Sequence, residues 1–203
     1  MTGRQRRIVL VLADMRAGRA MPALARDIGP VAAAWWYRHQ IAALLRRIGG
    51  DPRWETWLAM PGRQAWPRLP GLPRIDPGPG DPGRRLARIF RDMPPGPVLA
   101  ILPDAPGIRP AHLAEAFAML GRMEAVFGPT PDGGFWLAGL ARGRRPAPAG
   151  LFAGVRWNTP HALADSIRGL NARRIGFAAP LARVTRARDL ATLRRDPSAL
   201  PFP

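Results

Sequence analysis

Two carboxylates, Asp104 and Asp132, each stand where an apolar run meets a Pro/Gly turn. Asp104 follows the stretch Val-Leu-Ala-Ile-Leu-Pro at 98–103 and is itself followed by Ala-Pro-Gly107. A short, continuous apolar run that stops at an acid and a turn is how a buried parallel strand delivers a side chain to the carboxyl edge of a sheet, where open α/β folds bind their ligands. Asp132 lies in Pro-Asp-Gly133-Gly134, between the runs 125–127 and 135–140. Taken singly, both acids also read as turn residues, since Pro-Asp-Ala-Pro-Gly and Asp-Gly are good turn chemistry anywhere. Paired over one sheet edge, they would offer hard oxygen ligands to Mg²⁺ or Mn²⁺, and such a cation would offset the charge that grows on a departing diphosphate. Asp104 is therefore the leading candidate for the chemical centre.

The elements that would position these acids are legible in part. Residues 8–13 form an aliphatic run of strand length, and the basic loop 14–19 after it has a common phosphate-binding layout. The apolar residues Val31, Ala34, Trp35, Ile41, Leu44, Leu45 and Ile48 repeat at close to 3.6 residues, predicting a helix over 30–48 that Gly49-Gly50 ends. The same reasoning gives a second strand at 54–60, a long loop over 61–83, a short helix at 84–90, the strand starting at Val98 and a helix at 110–120. Strands at 125–127 and 135–140 flank the acidic turn, and 142–149 is a loop. Asn158-Thr159-Pro160 supplies a cap followed by proline at the first helical position, opening a helix to about 170, and a weak strand at 175–179 and a helix at 188–194 close the chain. Strands alternating with helices predict a three-layer α/β/α sandwich on a mainly parallel, mixed sheet. We expect one domain spanning 1–203, with its core over about 8–190 and an irregular tail at 191–203.

Composition removes several chemistries. The 203 residues contain 31 basic side chains, every one an arginine, so Schiff-base and Walker lysines are excluded. No cysteine means no disulfide framework and no thiolate site. The net charge of +17 would ordinarily suggest nucleic acid, but the arginines are scattered from Arg4 to Arg195 in an Ala/Gly/Pro-rich chain, which does not mark a dedicated nucleic-acid surface. The basic start precedes only a six-residue apolar run, too short for a signal-peptide core or a membrane span, so a cytoplasmic location is expected. His39, His112 and His161 show no metal-ligand spacing, Trp35-Trp36-Tyr37 reads as helix packing rather than a base-stacking platform, and no nucleophile elbow or dinucleotide fingerprint is present. The segment from Trp157 to Pro160 reads first as structure, a packed indole before a capped helix, and second as a helix N-terminus facing an anion or a sugar hydroxyl.

In order along the chain, Gly80-Asp81-Pro82-Gly83-Arg84-Arg85-Leu86-Ala87-Arg88-Ile89-Phe90, Asp104-Ala105-Pro106-Gly107, Phe127-Gly128-Pro129 with Asp132-Gly133-Gly134-Phe135-Trp136-Leu137, and Leu151-Phe152 with Val155-Arg156-Trp157-Asn158-Thr159-Pro160-His161 resemble a bacterial glycosyltransferase-A-like family, domain of unknown function 2064. The resemblance runs over roughly residues 8–190 and implies a nucleotide-diphospho-sugar transferase fold, Rossmann-like in shape. It implies a nucleotide or nucleotide-sugar donor held by the first loop at Gly18 and Arg19, a divalent cation on Asp104, and Asp132 on the side of a small-molecule acceptor as metal neighbour or base. Asp81, Arg85, Gly133, Gly134, Trp157 and Thr159 are the further substrate-binding positions it implies.

Two departures bear on that expectation. The family's first loop resembles Pro-Gly-Arg-Val-Lys-Thr-Arg-Leu, and here residues 17–24 keep Gly18, Arg19 and Leu24 but lose the Lys-Thr-Arg. A family stretch like Asp-Val-Asp-Thr-Pro-Glu-Asp-Leu appears as Arg183-Val184-Thr185-Arg186-Ala187-Arg188-Asp189-Leu190, so both acids that would complete a cation site are missing. An arginine at a ligand position repels a cation, and Arg183 or Arg186 would instead neutralise a diphosphate directly. Glycosyl transfer to a small acceptor is the leading expectation. A catalytically degenerate binding protein of the same fold and a nucleotidyltransferase are the alternatives, the last because the same diphosphate chemistry serves both.

Overall fold

The computed structural model describes residues 5–62, 71–142, 147–170 and 174–195. These form β1 (Arg7–Val11), α1 (Pro22–Ile28), α2 (Pro30–Ile48), β2 (Glu55–Ala59), β3 (Arg74–Ile75), α3 (Pro82–Asp92), β4 (Val98–Ile101), α4 (Pro110–Met119), β5 (Ala125–Pro129), β6 (Phe135–Leu140), α5 (Ala162–Gly169), β7 (Ile175–Phe177) and α6 (Ala187–Arg195). The strands make one sheet in the order β3-β2-β1-β4-β6-β5-β7, parallel throughout except that β6 runs against both β4 and β5.

Side-chain alternation along the strands divides the core into two layers. Ile8, Leu10, Leu99 and Ile101 face a layer capped by α2 and α4, whereas Val9, Val98 and Ala100 face a layer capped by α3 and α5. This two-sided burial is why β1 and β4 read as unbroken aliphatic runs rather than alternating ones. The result is the expected three-layer sandwich on a mixed sheet.

β6 breaks the alternation. Phe135 and Ala138 face the α3/α5 layer, while Trp136 and Leu137 both face the α2/α4 layer. Pairing with β5 shifts register between Gly128 and Pro129, so Trp136 is the extra residue of a β-bulge, which bends a strand and commonly ends pairing beside a functional edge. Its indole lies against Gly128, where a Cβ would come within 2.3 Å of the ring, and its Nε1 donates to the Ala179 carbonyl at 3.0 Å.

Proline opens four of the six helices among the described residues, at Pro22, Pro30, Pro82 and Pro110, in the first turn where its missing N–H costs nothing. The structure corrects several expectations. Helix α1 lies beyond the expected loop 14–19, in a stretch given no element, and β3 interrupts the long loop, whose residues 63–70 lie outside those described. Helix α5 begins at Ala162 with His161 as its cap, rather than at Pro160, because Asn158 takes a left-handed φ of 58° and Thr159 Oγ1 donates to the Arg156 carbonyl at 2.7 Å. The aromatic trio of α2 splits: Tyr37 is buried and Trp36 packs on the core, but Trp35 is 62% exposed, with its ring tilted against that of His39. Helix α6 extends to Arg195, so the expected irregular tail is helical over 191–195, and 196–203 lie outside the described residues.

Candidate functional site

Because β6 alone is reversed, its start lies at the same edge as the end of β4. The loop after β4 and the β5–β6 turn therefore meet, and with them Asp104 and Asp132. The turn is closed by amides of Gly133 and Thr130 donating to the Thr130 and Gly134 carbonyls, both at 3.0 Å. Gly133 has a φ of 79°, and a Cβ there would lie 2.2 Å from the Pro160 carbonyl oxygen. That close approach, together with the Leu163 amide donating to the Gly133 carbonyl at 3.0 Å, fixes the turn against the segment entering α5.

Arg183 stands between the two acids. Its Nε donates to Asp132 Oδ2 at 2.7 Å, and its Nη1 lies 3.7 Å from Asp104 Oδ2. The backbone on either side of it is tied to the same edge: the Leu181 amide donates to the Pro129 carbonyl at 3.1 Å and the Val184 amide to the Asp104 carbonyl at 2.8 Å. The side chains of Arg183 and Asp104 are each 17% exposed.

These surroundings separate the two carboxyls. Burial pushes the Asp104 carboxyl up to about 6, against the pull of the Arg183 charge, and its Oδ1 is buried with no hydrogen-bond partner among the described residues. Burial also pushes Asp132 up, but the Thr130 hydroxyl and the Arg183 charge outweigh it and hold this carboxyl below the usual range. The surroundings thus hold one carboxyl above the ordinary carboxylate range and the other below it.

Asp104 and Arg183 form part of the wall of a cavity of about 240 Å³, which the ends of β1 and β4, the first turns of α3 and the Trp157-Asn158 segment complete. Tyr37 reaches this wall from α2, accepting the Ala13 amide on its hydroxyl at 2.9 Å, and burial raises its pKa. Arg85 enters from α3 with its Nε buried and unpartnered among the described residues. Trp157 packs edge-on against Phe135 and beside Phe152. A second cavity, of about 330 Å³, lies on the α6 side and shares Asp132 and Arg183 with its surroundings.

The other expected site residues fall in different places. Gly134 joins the first cavity beside Asp132, giving its amide to Asp132 Oδ1 at 3.3 Å. Asp81 caps α3, accepting the Arg84 amide at 2.9 Å. Thr159 accepts the His161 amide in the turn before α5 at 3.2 Å. Gly18, with a φ of 82°, and the exposed Arg19 belong to the loop after β1, which α2 anchors through Arg38 Nε donating to the Met15 carbonyl at 3.2 Å. Arg186 pairs with Asp27 of α1 at 2.9 Å. Asn158 was anticipated only as part of the 157–160 segment, and Tyr37 was not anticipated at the site. Only the single tyrosine's place on a helix following the first loop could have hinted at it.

The donor set does not suit a divalent cation. No group of three or more His, Asp or Glu side chains converges among the described residues, and a guanidinium already spans the acids that would have to hold the ion. No helix among the described residues is long and apolar enough to cross a membrane.

Comparison with solved structures defines the class of fold. A "putative nucleotide-diphospho-sugar transferase" from Desulfovibrio desulfuricans G20 matches with a TM-score of 0.81 at 21% identity, over 95% of this chain and 87% of that one. Glucosyl-3-phosphoglycerate synthase from Mycobacterium tuberculosis, in complex with Mn²⁺, UDP and glucosyl-3-phosphoglycerate, matches at 0.54 and 13% identity, over 94% and 75% of the two chains. CMP:2-keto-3-deoxy-manno-octonic acid synthetase complexed with CTP matches at 0.55 and 13%, over 94% and 97%. The fold is that of the nucleotide-diphospho-sugar transferases. Residues 44–159 match the family described as "Uncharacterized protein conserved in bacteria (DUF2064)", and the chain belongs to that family. The search of curated proteins gave no match.

Proposed function

We propose that the protein binds a sugar nucleotide across the carboxyl edge of its sheet and transfers the sugar to a small acceptor. The observation that carries this reading is the convergence of Asp104, Asp132 and Arg183 between two cavities at the edge where α/β folds of this kind hold ligands. At about 240 Å³ the first cavity is smaller than an ordinary ligand cleft, so it accommodates one part of the donor while the rest lies along the open edge.

In the transfer, the acceptor oxygen forms a bond to the anomeric carbon as the bond from that carbon to the diphosphate oxygen breaks. The electron pair leaves on the diphosphate and the acceptor proton passes to a carboxylate. Asp104 is the better suited of the two acids for that proton, because a base works best with a pKa near the operating pH, and its carboxyl is raised to about 6. Asp132, saturated by Thr130, Gly134 and Arg183, holds the guanidinium in place. The Arg183 charge faces the leaving diphosphate.

Calorimetry with ADP, CDP, GDP, UDP and their sugar derivatives tests the reading. Binding of at least one, abolished or strongly weakened in Asp104→Ala, is expected; a wild type that binds none, or binding indifferent to Asp104, refutes it. Nucleotidyl transfer is the second reading, supported by the likeness to the CTP-bound synthetase at a TM-score of 0.55. Release of pyrophosphate rather than nucleoside diphosphate selects it. Sugar-nucleotide binding without turnover selects the degenerate binding protein.

A further inference from the structure

We infer that the Arg183 guanidinium takes the place of a divalent cation, so that this edge excludes Mg²⁺ and Mn²⁺ and receives a nucleoside diphosphate without metal. The identity of the ligand rests on the proposed function; the exclusion of the metal rests on geometry alone.

Two carboxylates separated by 28 positions in the chain converge on one point, which is the arrangement that holds a hard cation through oxygen ligands. The point is taken by a positive group that is part of the chain. Nε lies 2.7 Å from Asp132 and Nη1 3.7 Å from Asp104, so an ion between the acids would have to displace the guanidinium or sit beside a like charge. Displacement is opposed by the backbone bonds of Leu181 and Val184, which hold the segment on both sides, and by burial of the side chain, 17% exposed. The described residues supply no third acid to compensate.

The replacement has the right chemistry for the ligand. A guanidinium carries five N–H donors in one plane, more than the two carboxylates use, and it matches phosphate oxygens two at a time. Arg85, on the far side of the same cavity, brings a second guanidinium whose Nε has no partner among the described residues. Arg85 and Arg183, set against the single acid Asp104 among the charged residues of the wall, leave a cavity that favours an anion.

The test uses full-length wild type, Arg183→Met, Arg183→Asp and Arg183→Lys, each checked by circular dichroism melting. Titration with Mn²⁺ alone, read by the loss of the free-ion electron paramagnetic resonance signal, should show no uptake by the wild type and uptake by Arg183→Asp, in which three acids meet. Calorimetry with UDP and the other nucleoside diphosphates should give the wild type the same affinity in EDTA as in Mn²⁺, within about twofold. Arg183→Met should lose about tenfold or more in EDTA, as expected for a lost charged hydrogen bond. Arg183→Lys, which keeps the charge, serves where Arg183→Met does not fold, and should stay metal-independent. Mn²⁺ uptake by the wild type, nucleotide binding that requires Mn²⁺, or Mn²⁺ uptake by neither the wild type nor Arg183→Asp overturns the inference. If no nucleotide binds under any condition, the proposed function falls, and the Mn²⁺ titrations alone decide whether the guanidinium holds a cation's place.

Discussion

Asp104 is pushed in two directions, up by burial and down by Arg183, and burial wins. A carboxyl raised from 3.8 to about 6 binds its proton more tightly in the folded chain than in the unfolded one, so folding is favoured by protonation. That stability is fully present below the unfolded pKa and is lost as pH rises through about 6. Asp104→Asn, which never ionises, should therefore match the wild type near pH 4 and exceed it by about 2–3 kcal/mol at about pH 8, measured by urea denaturation at both pH values. At the neighbouring turn, Gly133→Ala would place a methyl group 2.2 Å from the Pro160 oxygen at a φ that only glycine adopts freely. It should cost about 2 kcal/mol or more, seen as a fall in the denaturation midpoint, because both the clash and the backbone conformation oppose it.

At the scale of elements, the cavity's Trp157 wall depends on Asp165 of α5. This buried carboxylate accepts from the Arg156 amide at 3.2 Å and from its Nε and Nη2 at 2.8 and 2.9 Å, and pairs with Arg168 at 3.2 Å. The hydrogen bonds and the charge of Arg156 hold its pKa well below the ordinary value, so its contribution is present above the unfolded pKa and is lost as pH falls through the folded one. Asp165→Asn should lower the thermal midpoint at neutral pH and alter Trp157 fluorescence, with the difference from wild type shrinking in strong acid.

The elements most legible in the sequence were those with strong local signals. Pro30 and Gly49 bound α2 where the periodicity placed it, and the two-sided burial of β1 and β4 left unbroken aliphatic runs. β3 is two residues long and has no pattern to read, and α1 hides in an Ala/Arg stretch behind a left-handed Met21. The acids were legible because each adjoins a strand. Arg85 was legible only through the family motif that carries it, and Tyr37 was not legible at all, since its place at the cavity comes from helix packing and leaves no mark in its own neighbourhood.

For the molecule as a whole, the net charge of +17 is the dominant long-range force. Individual surface ion pairs such as Arg16–Asp14 and Arg53–Asp51 contribute little, so screening of the overall self-repulsion should outweigh their loss. The thermal midpoint should rise as NaCl is raised from about 20 mM to about 500 mM, the range over which the Debye length falls well below the size of the domain. The same charge should give weak retention of random DNA, with no sequence preference and a steep loss between about 50 and 200 mM salt, measured by fluorescence anisotropy. A shallow salt slope or a preferred sequence would instead indicate base readout.

The main-chain bonds from Leu181 and Val184 make Arg183 a fixture of the scaffold. A dissociable ion comes and goes with its concentration in the surrounding fluid and can leave together with a product. A side chain is gained or lost only when a codon changes. Heredity rather than supply therefore decides whether this rim carries its positive charge.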